Sequence, residues 1–458
     1  MRRVPRVALG VMLSGTLLVL ALPPADVPGL GWIALVPLLV ATRGRGAVAG
    51  TLAGVATALV AGALSHAGWW YSDNAVAQAS VAWNYAGFTL FGFSLGLACG
   101  GMAGRTTARE RPIAALAAWA VLSEAALLAY QPAHLALAFS EEPALLELAG
   151  WTGIWGVSFV AWWVALALTR AVARRDGRWL VAGVLVPLTV VGLRAVAPID
   201  AIVPAEPRLT IAVIQTCHDD RAPLAALNAR AARDGAHIAV WPELAGMFEA
   251  MNGDTRRWTE LAREPGQIPF ATSFQDGPSR SLPHNAAALF DGSGESSRYY
   301  KRCLFAGEVE MHTPGFHAVA VRTSGVAAAL GLNICFDSCF PRVLRETALL
   351  PDVGAILLPT LDPPSPHGVV QAIHAAYTPF RSAELGVPIA RAERTACSMI
   401  TDRRGRVVAR AGPGGEAIAI ATVATTPRWT LYRVWGDWFL GVCAVAVVWG
   451  LVQSRRET

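Results

Sequence analysis

Long apolar runs dominate the first 200 residues of this 458-residue chain. Hydrophobic residues make up 54% of the sequence and charged residues 16%, whereas an ordinary soluble domain carries about 25% charged residues. Because a transmembrane helix needs about 20 apolar residues, the runs predict seven spans in the first half and one near the C-terminus. Their approximate bounds are 8–23, 29–42, 47–66, 79–103, 112–130, 151–170, 179–197 and 434–453. The composition excludes disordered, collagen-like and coiled-coil chains.

The distribution of arginines predicts the orientation of these spans. Arginines cluster at the N-terminus and within 43–45, 105–111, 170–178 and 455–456, whereas the alternate loops 24–28, 67–78 and 131–150 contain neither Arg nor Lys. The positive-inside rule therefore predicts cytoplasmic termini and an outer, periplasmic position for the segment 198–430 in a bacterial inner membrane. We interpret the first run as an anchor rather than a cleaved signal peptide.

Aromatic and acidic residues at the membrane leave alternatives open. Trp69, Trp70, Tyr71, Trp435 and Trp438 are typical of an outer aromatic belt, and simple core packing is the alternative. Glu124 lies within the fifth run, where a carboxylate is costly and usually faces the interior of a helix bundle. It serves either a function or an interhelical hydrogen bond.

The segment 198–430 has the pattern of an α/β domain. Strands are predicted at 209–215, 237–241, 269–273, 285–291, 317–322, 327–334, 354–359, 387–391 and 396–401, and helices at 222–234, 254–263, 340–349 and 367–385. Alternating strands and helices are typical of this class. The proline-rich stretch 360–367 predicts a surface loop.

The cysteines and basic residues exclude several classes. Seven scattered cysteines do not form a disulfide framework, and none has zinc-ligand spacing, so we predict no metal and no cofactor. A bridge between Cys335 and Cys339 remains an alternative. The net charge is +5, but the basic residues lie in short clusters without interleaved aromatics, which argues against nucleic acid as a partner.

Three short motifs carry the candidate chemistry. Glu243 follows an apolar strand, Lys301 lies between Tyr300 and Arg302, and Cys335 lies where a strand runs into a turn. Nearby cations and a helix N-terminus can lower the pKa of a thiol in such a place. Taken singly, a cysteine after an apolar strand is more often a packing residue, and an exposed glutamate is usually just solvated. Lys301 is more specific, because it is the single lysine among 38 basic residues.

Glu243, Lys301 and Cys335, in this order on strand ends, resemble the nitrilase superfamily. Together with the apolar runs, the chain resembles the apolipoprotein N-acyltransferase family over nearly its whole length. The segments similar to the family's signatures are 21–38, 150–158, 381–391, 402–405 and 432–437. The resemblance implies a multi-pass α-helical membrane domain at 1–197, a nitrilase-like αββα sandwich at 198–430 and a C-terminal transmembrane helix at 434–453.

The resemblance also implies roles for residues. Glu243 matches the general base, Lys301 the cation that stabilises the oxyanion, and Cys335 the nucleophile. Glu308, Asp337 and Phe336 match supporting positions, although the segment from Lys301 to Glu308 is one residue shorter than the family's. Two further departures are Ala133-His134-Leu135, which replaces a Phe-Pro-Trp motif, and the stretch 360–367, which replaces a Trp-Phe-Gly loop.

The implied activity is acyl transfer from a membrane phospholipid, through a Cys335 thioester, to the N-terminal amine of diacylglyceryl-cysteine on an apolipoprotein. The partners are then the phospholipid donor, the apolipoprotein acceptor and membrane lipids, and the enzyme is expected to be a monomer. Two alternatives remain: a membrane-anchored amidase or acyltransferase for another amine, and a non-catalytic scaffold.

Overall fold

The fold divides into two compact units. The computed structural model describes residues 4–65, 112–127, 134–196, 206–246, 253–277, 282–363, 368–412 and 414–455. The first unit comprises 1–198, 365–369 and 437–458, and the second comprises 199–364 and 370–436. The predicted span 79–103 lies outside the described residues.

The described part of the first unit is built of apolar helices. They are α1 (Val4–Ala21), α2 (Leu30–Ile33), α3 (Val36–Thr42), α4 (Ala47–Ser65), α5 (Ile113–Leu127), α6 (Pro143–Thr152), α7 (Ile154–Arg174), α8 (Arg178–Val196) and the C-terminal α15 (Trp438–Arg455). Within the described residues, two stretches are long and apolar enough to cross a membrane, Val48–Ser65 and Ile154–Arg174. Shorter apolar stretches occupy the other predicted spans that the structure describes.

Several predicted boundaries in this unit are wrong. The predicted span 29–42 is broken between α2 and α3, and Pro37 lies in the first turn of α3. The segment 131–150, between the fifth and sixth predicted spans, holds the 3₁₀ helix Leu135–Phe139 and most of α6. Gly153, at φ 72°, separates α6 from α7, so the helix in the sixth predicted span begins at Ile154. Gly436, at φ 61°, separates α15 from a short helix, α14 (Leu431–Trp435).

The second unit contains two β-sheets that pack against each other. The first sheet has the order β13-β1-β2-β3-β4-β5, with β6 paired to β4, and the second has the order β12-β11-β10-β9-β8-β7. The strands are β1 (Arg208–Gln215), β2 (Ile238–Val240), β3 (Phe270–Asp276), β4 (His284–Asp291), β5 (Gly294–Glu295), β6 (Tyr299–Tyr300), β7 (Val319–Val321), β8 (Ala329–Leu332), β9 (Val353–Thr360), β10 (Ile389–Glu393), β11 (Met399–Thr401), β12 (Val407–Arg410) and β13 (Ala417–Ala424). Each sheet has three parallel strands at its centre, β1-β2-β3 and β8-β9-β10.

Helices cover the outer face of each sheet. They are α9 (Arg221–Arg233), α10 (Arg256–Ala262), α11 (Pro341–Ala348) and α13 (Tyr377–Leu385), and a further helix, α12 (Val369–Ala375), precedes α13. Leu224 and Trp258 pack with Phe270 on the first sheet, where Trp241 stacks on Phe270 with ring centroids 4.0 Å apart. Leu344 and Leu385 pack against the second sheet. The second unit is therefore an αββα sandwich, which confirms that part of the predicted fold.

The strand pattern was predictable, with exceptions. All nine predicted strands are present, whereas β5, β6, β12 and β13 were not predicted. The predicted helix 367–385 is divided between α12 and α13. The prediction of a surface loop at 360–367 is wrong for Thr360 and Asp362: Thr360 is the buried last residue of β9, and Asp362 is buried where it pairs with His374 and Arg391. Residues 364–367 lie outside the described part.

Candidate active site

The three candidate catalytic residues follow the ends of strands from both sheets. Glu243 lies three residues beyond β2, Lys301 directly after β6, and Cys335 three residues beyond β8. The carboxyl ends of parallel strands commonly face a site. A backbone hydrogen bond of 3.3 Å from the Glu243 N–H to the Thr360 carbonyl joins the end of β2 to the end of β9. The two sheets thus meet at this site.

Lys301 is held between two carboxylates in the interior. Its Nζ lies 2.9 Å from Oε1 of Glu243 and 2.7 Å from Oε1 of Glu308, and its side chain is 1% exposed. The shortened segment between Lys301 and Glu308 therefore still brings the two groups into contact. Asn285 on β4 donates to the same Glu243 oxygen at 2.6 Å and to Glu308 at 3.3 Å. The Lys301 ammonium is thus held by two carboxylates, and Asn285 holds both carboxylates in place.

Cys335 begins a 3₁₀ turn in a conformation that few non-glycine residues adopt. Its φ is +47°, in the left-handed region, and the turn Cys335–Cys339 leads into α11. The thiol contacts the carbonyl of Leu361 at 3.6 Å, and the N–H of the same residue donates to Oε2 of Glu243 at 2.7 Å. The Leu361 backbone therefore joins the Cys335 thiol to the Glu243 carboxylate. Nucleophile and base are therefore adjacent.

The thiol is not a preformed thiolate. Burial raises the pKa of Cys335 well above its usual range, the Glu243 carboxylate raises it further, and Lys301 offsets only part of this. The expectation that nearby cations lower this pKa is therefore wrong, because burial outweighs them. Burial likewise raises the pKa of Glu243 against the lowering by Lys301. A neutral thiol beside a stronger-than-usual carboxylate base suits proton transfer during attack.

Lys301 and Glu308 carry opposite charges at neutral pH. Burial acts to lower the pKa of Lys301, but the neighbouring Cys335, Glu243 and Glu308 raise it well above its usual range. Burial acts to raise the pKa of Glu308, and the contact with Lys301 reverses this to a net lowering. The ammonium is therefore permanent, and such a fixed charge can stabilise an oxyanion that develops beside it.

Asp337 and Phe336 fix the shape of the turn. One Asp337 oxygen accepts the Tyr299 hydroxyl at 2.7 Å and the Ile334 N–H at 2.9 Å, and the other accepts the Cys303 N–H at 2.9 Å. These bonds join the turn to the segment that carries Lys301. The Phe336 ring packs edge-on against Phe305 and Phe340. None of these contacts involves the Cys335 thiol, so Asp337 and Phe336 hold the turn in place and take no direct part in the reaction.

No disulfide bond joins any of the cysteines that the structure describes. Cys335 and Cys339 are both free and buried, which excludes the alternative of a disulfide between them in this structure. Burial raises the pKa of Cys339 well above its usual range. In the part of the chain that the structure describes, one cluster offers metal-type ligand atoms: those of Cys335, Asp362 and His374 lie within 4.8 Å of one another. The candidate ligand atoms of Asp362 and His374 already form hydrogen bonds within the protein.

Sequence reasoning missed Asn285, Asp362 and His374 as parts of the site. Asn285 lies on a predicted strand, Asp362 in the stretch assigned to a surface loop, and His374 within a predicted helix. Their partners are 12 to 42 residues away in the sequence. A buried polar residue in an otherwise apolar strand was the available signal for Asn285. No local pattern marked the other two.

Comparison with known families agrees with this geometry. Residues 208–429 match the carbon-nitrogen hydrolase family model, so the second unit is a carbon-nitrogen hydrolase domain of the nitrilase superfamily. Residues 14–167 match the model of the apolipoprotein N-acyltransferase N-terminal domain. With both domains in this order, the chain belongs to the apolipoprotein N-acyltransferase family.

Individual relatives match over shorter stretches. The apolipoprotein N-acyltransferase of Gloeobacter violaceus is 32% identical over 132 residues, which are 29% of this chain and 24% of the relative. That of Geobacter metallireducens is 28% identical over 149 residues, 32% of this chain and 28% of the relative. The matches thus span about a quarter of the length of these curated relatives. Among solved structures, a carbon-nitrogen hydrolase from Helicobacter pylori aligns with a TM-score of 0.44 and 18% identity, covering 51% of this chain and 94% of that one.

Proposed function

We propose that this protein transfers an acyl chain from a membrane phospholipid to the N-terminal amine of diacylglyceryl-cysteine on apolipoproteins. The single observation that carries the proposal is the buried arrangement in which Lys301 bonds both Glu243 and Glu308 while the Leu361 backbone joins the Cys335 thiol to Glu243. A nucleophile, a general base and a cation that stabilises the oxyanion are the groups needed to form a thioester and to break it again. The two matched family models and the names of the relatives support the choice of donor and acceptor.

In the first half-reaction, Glu243 accepts the thiol proton while the sulfur of Cys335 attacks the ester carbonyl of the phospholipid. The carbonyl oxygen gains the negative charge, and the Lys301 ammonium stabilises it. When the tetrahedral intermediate collapses, the carbon–oxygen bond of the ester breaks and the proton on Glu243 passes to the departing lysophospholipid. The acyl chain remains on Cys335 as a thioester.

In the second half-reaction, the acceptor amine attacks the thioester. Glu243 accepts a proton from the attacking nitrogen and returns it to the departing sulfur, and Lys301 again stabilises the oxyanion. The products are an amide and the free Cys335 thiol. Water must be kept from the thioester, because hydrolysis would turn the transferase into a thioesterase. The 4% exposure of Cys335 agrees with this requirement.

The proposed setting is the bacterial inner membrane. We infer eight spans, cytoplasmic termini, a periplasmic catalytic domain and a monomeric enzyme. The apolar helices of the first unit, two of them long enough to span, and the alternation of arginine-bearing loops support this arrangement. Acyl chains could then stay in the bilayer while only the reacting groups reach Cys335.

Intact mass spectrometry after incubation with phospholipid, followed by peptide mapping, tests the proposal. We expect one acyl mass on Cys335 that a diacylglyceryl-cysteine peptide discharges. Cys335→Ala should abolish the adduct, and Cys339→Ala, at a buried cysteine on the same turn, should retain it. Discharge by water alone would indicate an amidase-like hydrolase. Absence of any adduct would contradict the proposed function.

A further inference from the structure

His374 on α12 contacts the backbone of the nucleophile itself. Its Nε2 lies 3.2 Å from the carbonyl oxygen of Cys335 and 2.8 Å from Oγ of Ser338, and Ser338 donates to the same carbonyl at 2.9 Å. On the other side of the ring, Nδ1 lies 2.6 Å from Oδ1 of Asp362. The imidazole is 7% exposed. It thus bridges a carboxylate and the turn that presents the thiol.

Asp362 is a carboxylate, held by two neighbours. Its second oxygen accepts from Nη2 of Arg391 at 2.5 Å, and Arg391 is fully buried. This ion pair with a buried guanidinium, which is always charged, keeps the Asp362 carboxyl ionised. An ionised carboxylate has only acceptor atoms. A separation of 2.6 Å from Nδ1 therefore requires a hydrogen on that nitrogen.

The other nitrogen also faces an atom that can only accept. The Cys335 carbonyl has no hydrogen to give, and it already accepts the single Ser338 hydrogen. If Nε2 lacked a hydrogen, Ser338 would have to turn its hydrogen toward the ring, and the carbonyl would face two lone pairs. With a hydrogen on Nε2, every one of these contacts joins a donor to an acceptor. Arg391 approaches Nδ1 at 3.4 Å, too far to compete with the 2.6 Å contact.

We propose that His374 is a doubly protonated positioning residue that holds the Cys335 carbonyl and thereby keeps the thiol in its left-handed turn. A non-glycine residue at φ +47° persists only where its surroundings over-determine it. Asp337 fixes this turn through the Ile334 N–H, and His374 with Ser338 fixes it through the Cys335 carbonyl. The inference rests on the proposed function, in that it takes Cys335 as the nucleophile.

The state of the ring can be measured without any substrate. Nitrogen-15 NMR of selectively histidine-labelled protein at pH 7 reports whether each ring nitrogen carries a hydrogen, and His374→Gln identifies the His374 signals by their loss. The charged or titratable groups that face the ring are Asp362, Arg391 and Cys335. We expect both nitrogens to be protonated. A ring with one protonated nitrogen would overturn the proposal.

His374→Gln tests the positioning itself, with His237→Gln at an exposed position of the same unit as the matched control. We expect kcat for acyl transfer to fall about tenfold to a hundredfold, the effect of one charge-assisted hydrogen bond, with KM unchanged. The ratio of iodoacetamide alkylation at Cys335 to that at Cys339 should fall as well. General loosening would instead expose both buried thiols and speed both reactions. A kcat and a ratio equal to those of His237→Gln would overturn the inference.

The controls separate the two proposals. If the wild-type protein forms no acyl adduct, the proposed function fails, whereas the NMR result and the alkylation ratio still decide the role of His374. If His374→Gln does not fold, Ser338→Ala removes only the hydroxyl between the ring and the turn. We expect a smaller fall in the same alkylation ratio, and an unchanged ratio would contradict the positioning role.

Discussion

At the scale of single residues, the site depends on the shape of one cation. The Lys301 ammonium fits between two carboxylates 2.9 and 2.7 Å away with almost no exposure. A guanidinium is planar, larger and unable to present one compact charge at that place. Lys301 is the single lysine among the 38 lysines and arginines of the chain, so its presence here reflects geometry rather than charge alone.

Lys301→Arg should therefore be nearly inactive although the charge is retained. Removing an oxyanion donor typically lowers kcat by about 10²- to 10³-fold, and we expect a loss of that size in the rate of acyl-adduct formation on Cys335. Arg322→Lys, at an exposed ion pair with Asp352, is the matched control and should leave the rate unchanged. A wild-type rate in Lys301→Arg would show that Lys301 does not stabilise the oxyanion.

The pH dependence of acylation should report the ionisation of Glu243. Only the carboxylate can accept the thiol proton, and the pKa of Glu243 is raised above its ordinary value of 4.5. The rate should therefore fall as the pH is lowered through this raised pKa, at a higher pH than for an exposed glutamate. Glu243→Gln should no longer show this fall in rate at low pH. Its residual rate should rise only as the pH approaches the raised pKa of the Cys335 thiol. The same fall in rate at low pH in Glu243→Gln would assign it to another group.

At the scale of secondary-structure elements, Asp337 ties the nucleophile turn to the end of β6. It accepts hydrogen bonds from the Tyr299 hydroxyl and from backbone N–H groups of Ile334 and Cys303, and it is fully buried. Asp337→Asn replaces an acceptor with an NH₂ group that faces these donors. The expected loss is about 1–3 kcal/mol in the free energy of unfolding.

Asp352→Asn is the control for this prediction. The Asp352 side chain is 70% exposed and pairs with Arg322 at the surface, where an ion pair contributes about 0–1 kcal/mol. Thermal unfolding of the full-length protein in detergent compares the two variants. A melting temperature of Asp337→Asn equal to that of Asp352→Asn would mean that the turn is held by other contacts.

The elements that the sequence predicts well are those with a clear hydrophobic period. β9, for instance, is buried along its whole length and was evident as an apolar run, as were β1 and β4. β12 alternates between exposed and partly buried positions, β13 is mostly only partly buried, and both were missed. Glu243 and Cys335 were identifiable because each follows an apolar strand, and Lys301 because it is the single lysine of the chain. His374 was not, because its partner Asp362 lies 12 residues away, in a stretch whose prolines favour a surface loop.

At the scale of the whole molecule, the chain combines a unit of apolar helices with a hydrolase-type sandwich. The two units divide after Pro198, and the second unit extends to Gly436. The physical reason for joining them is the proposed substrate. A phospholipid and a lipid-modified peptide both remain in a bilayer, so a catalytic domain held at its surface meets them without extracting either.

The proposed topology predicts opposite accessibility for two engineered cysteines. Gly177 lies between α7 and α8, Gly292 lies in the turn between β4 and β5, and a Cβ at either position meets no atom within 4 Å. In a background with the exposed Cys217 replaced by serine, a membrane-impermeant maleimide applied to intact spheroplasts should label Gly292→Cys and spare Gly177→Cys. Because Arg174, Arg175 and Arg178 flank Gly177, the positive-inside rule places this turn in the cytoplasm. Labelling of Gly177→Cys before lysis would reverse the orientation, and would place the thioester chemistry on the cytoplasmic side.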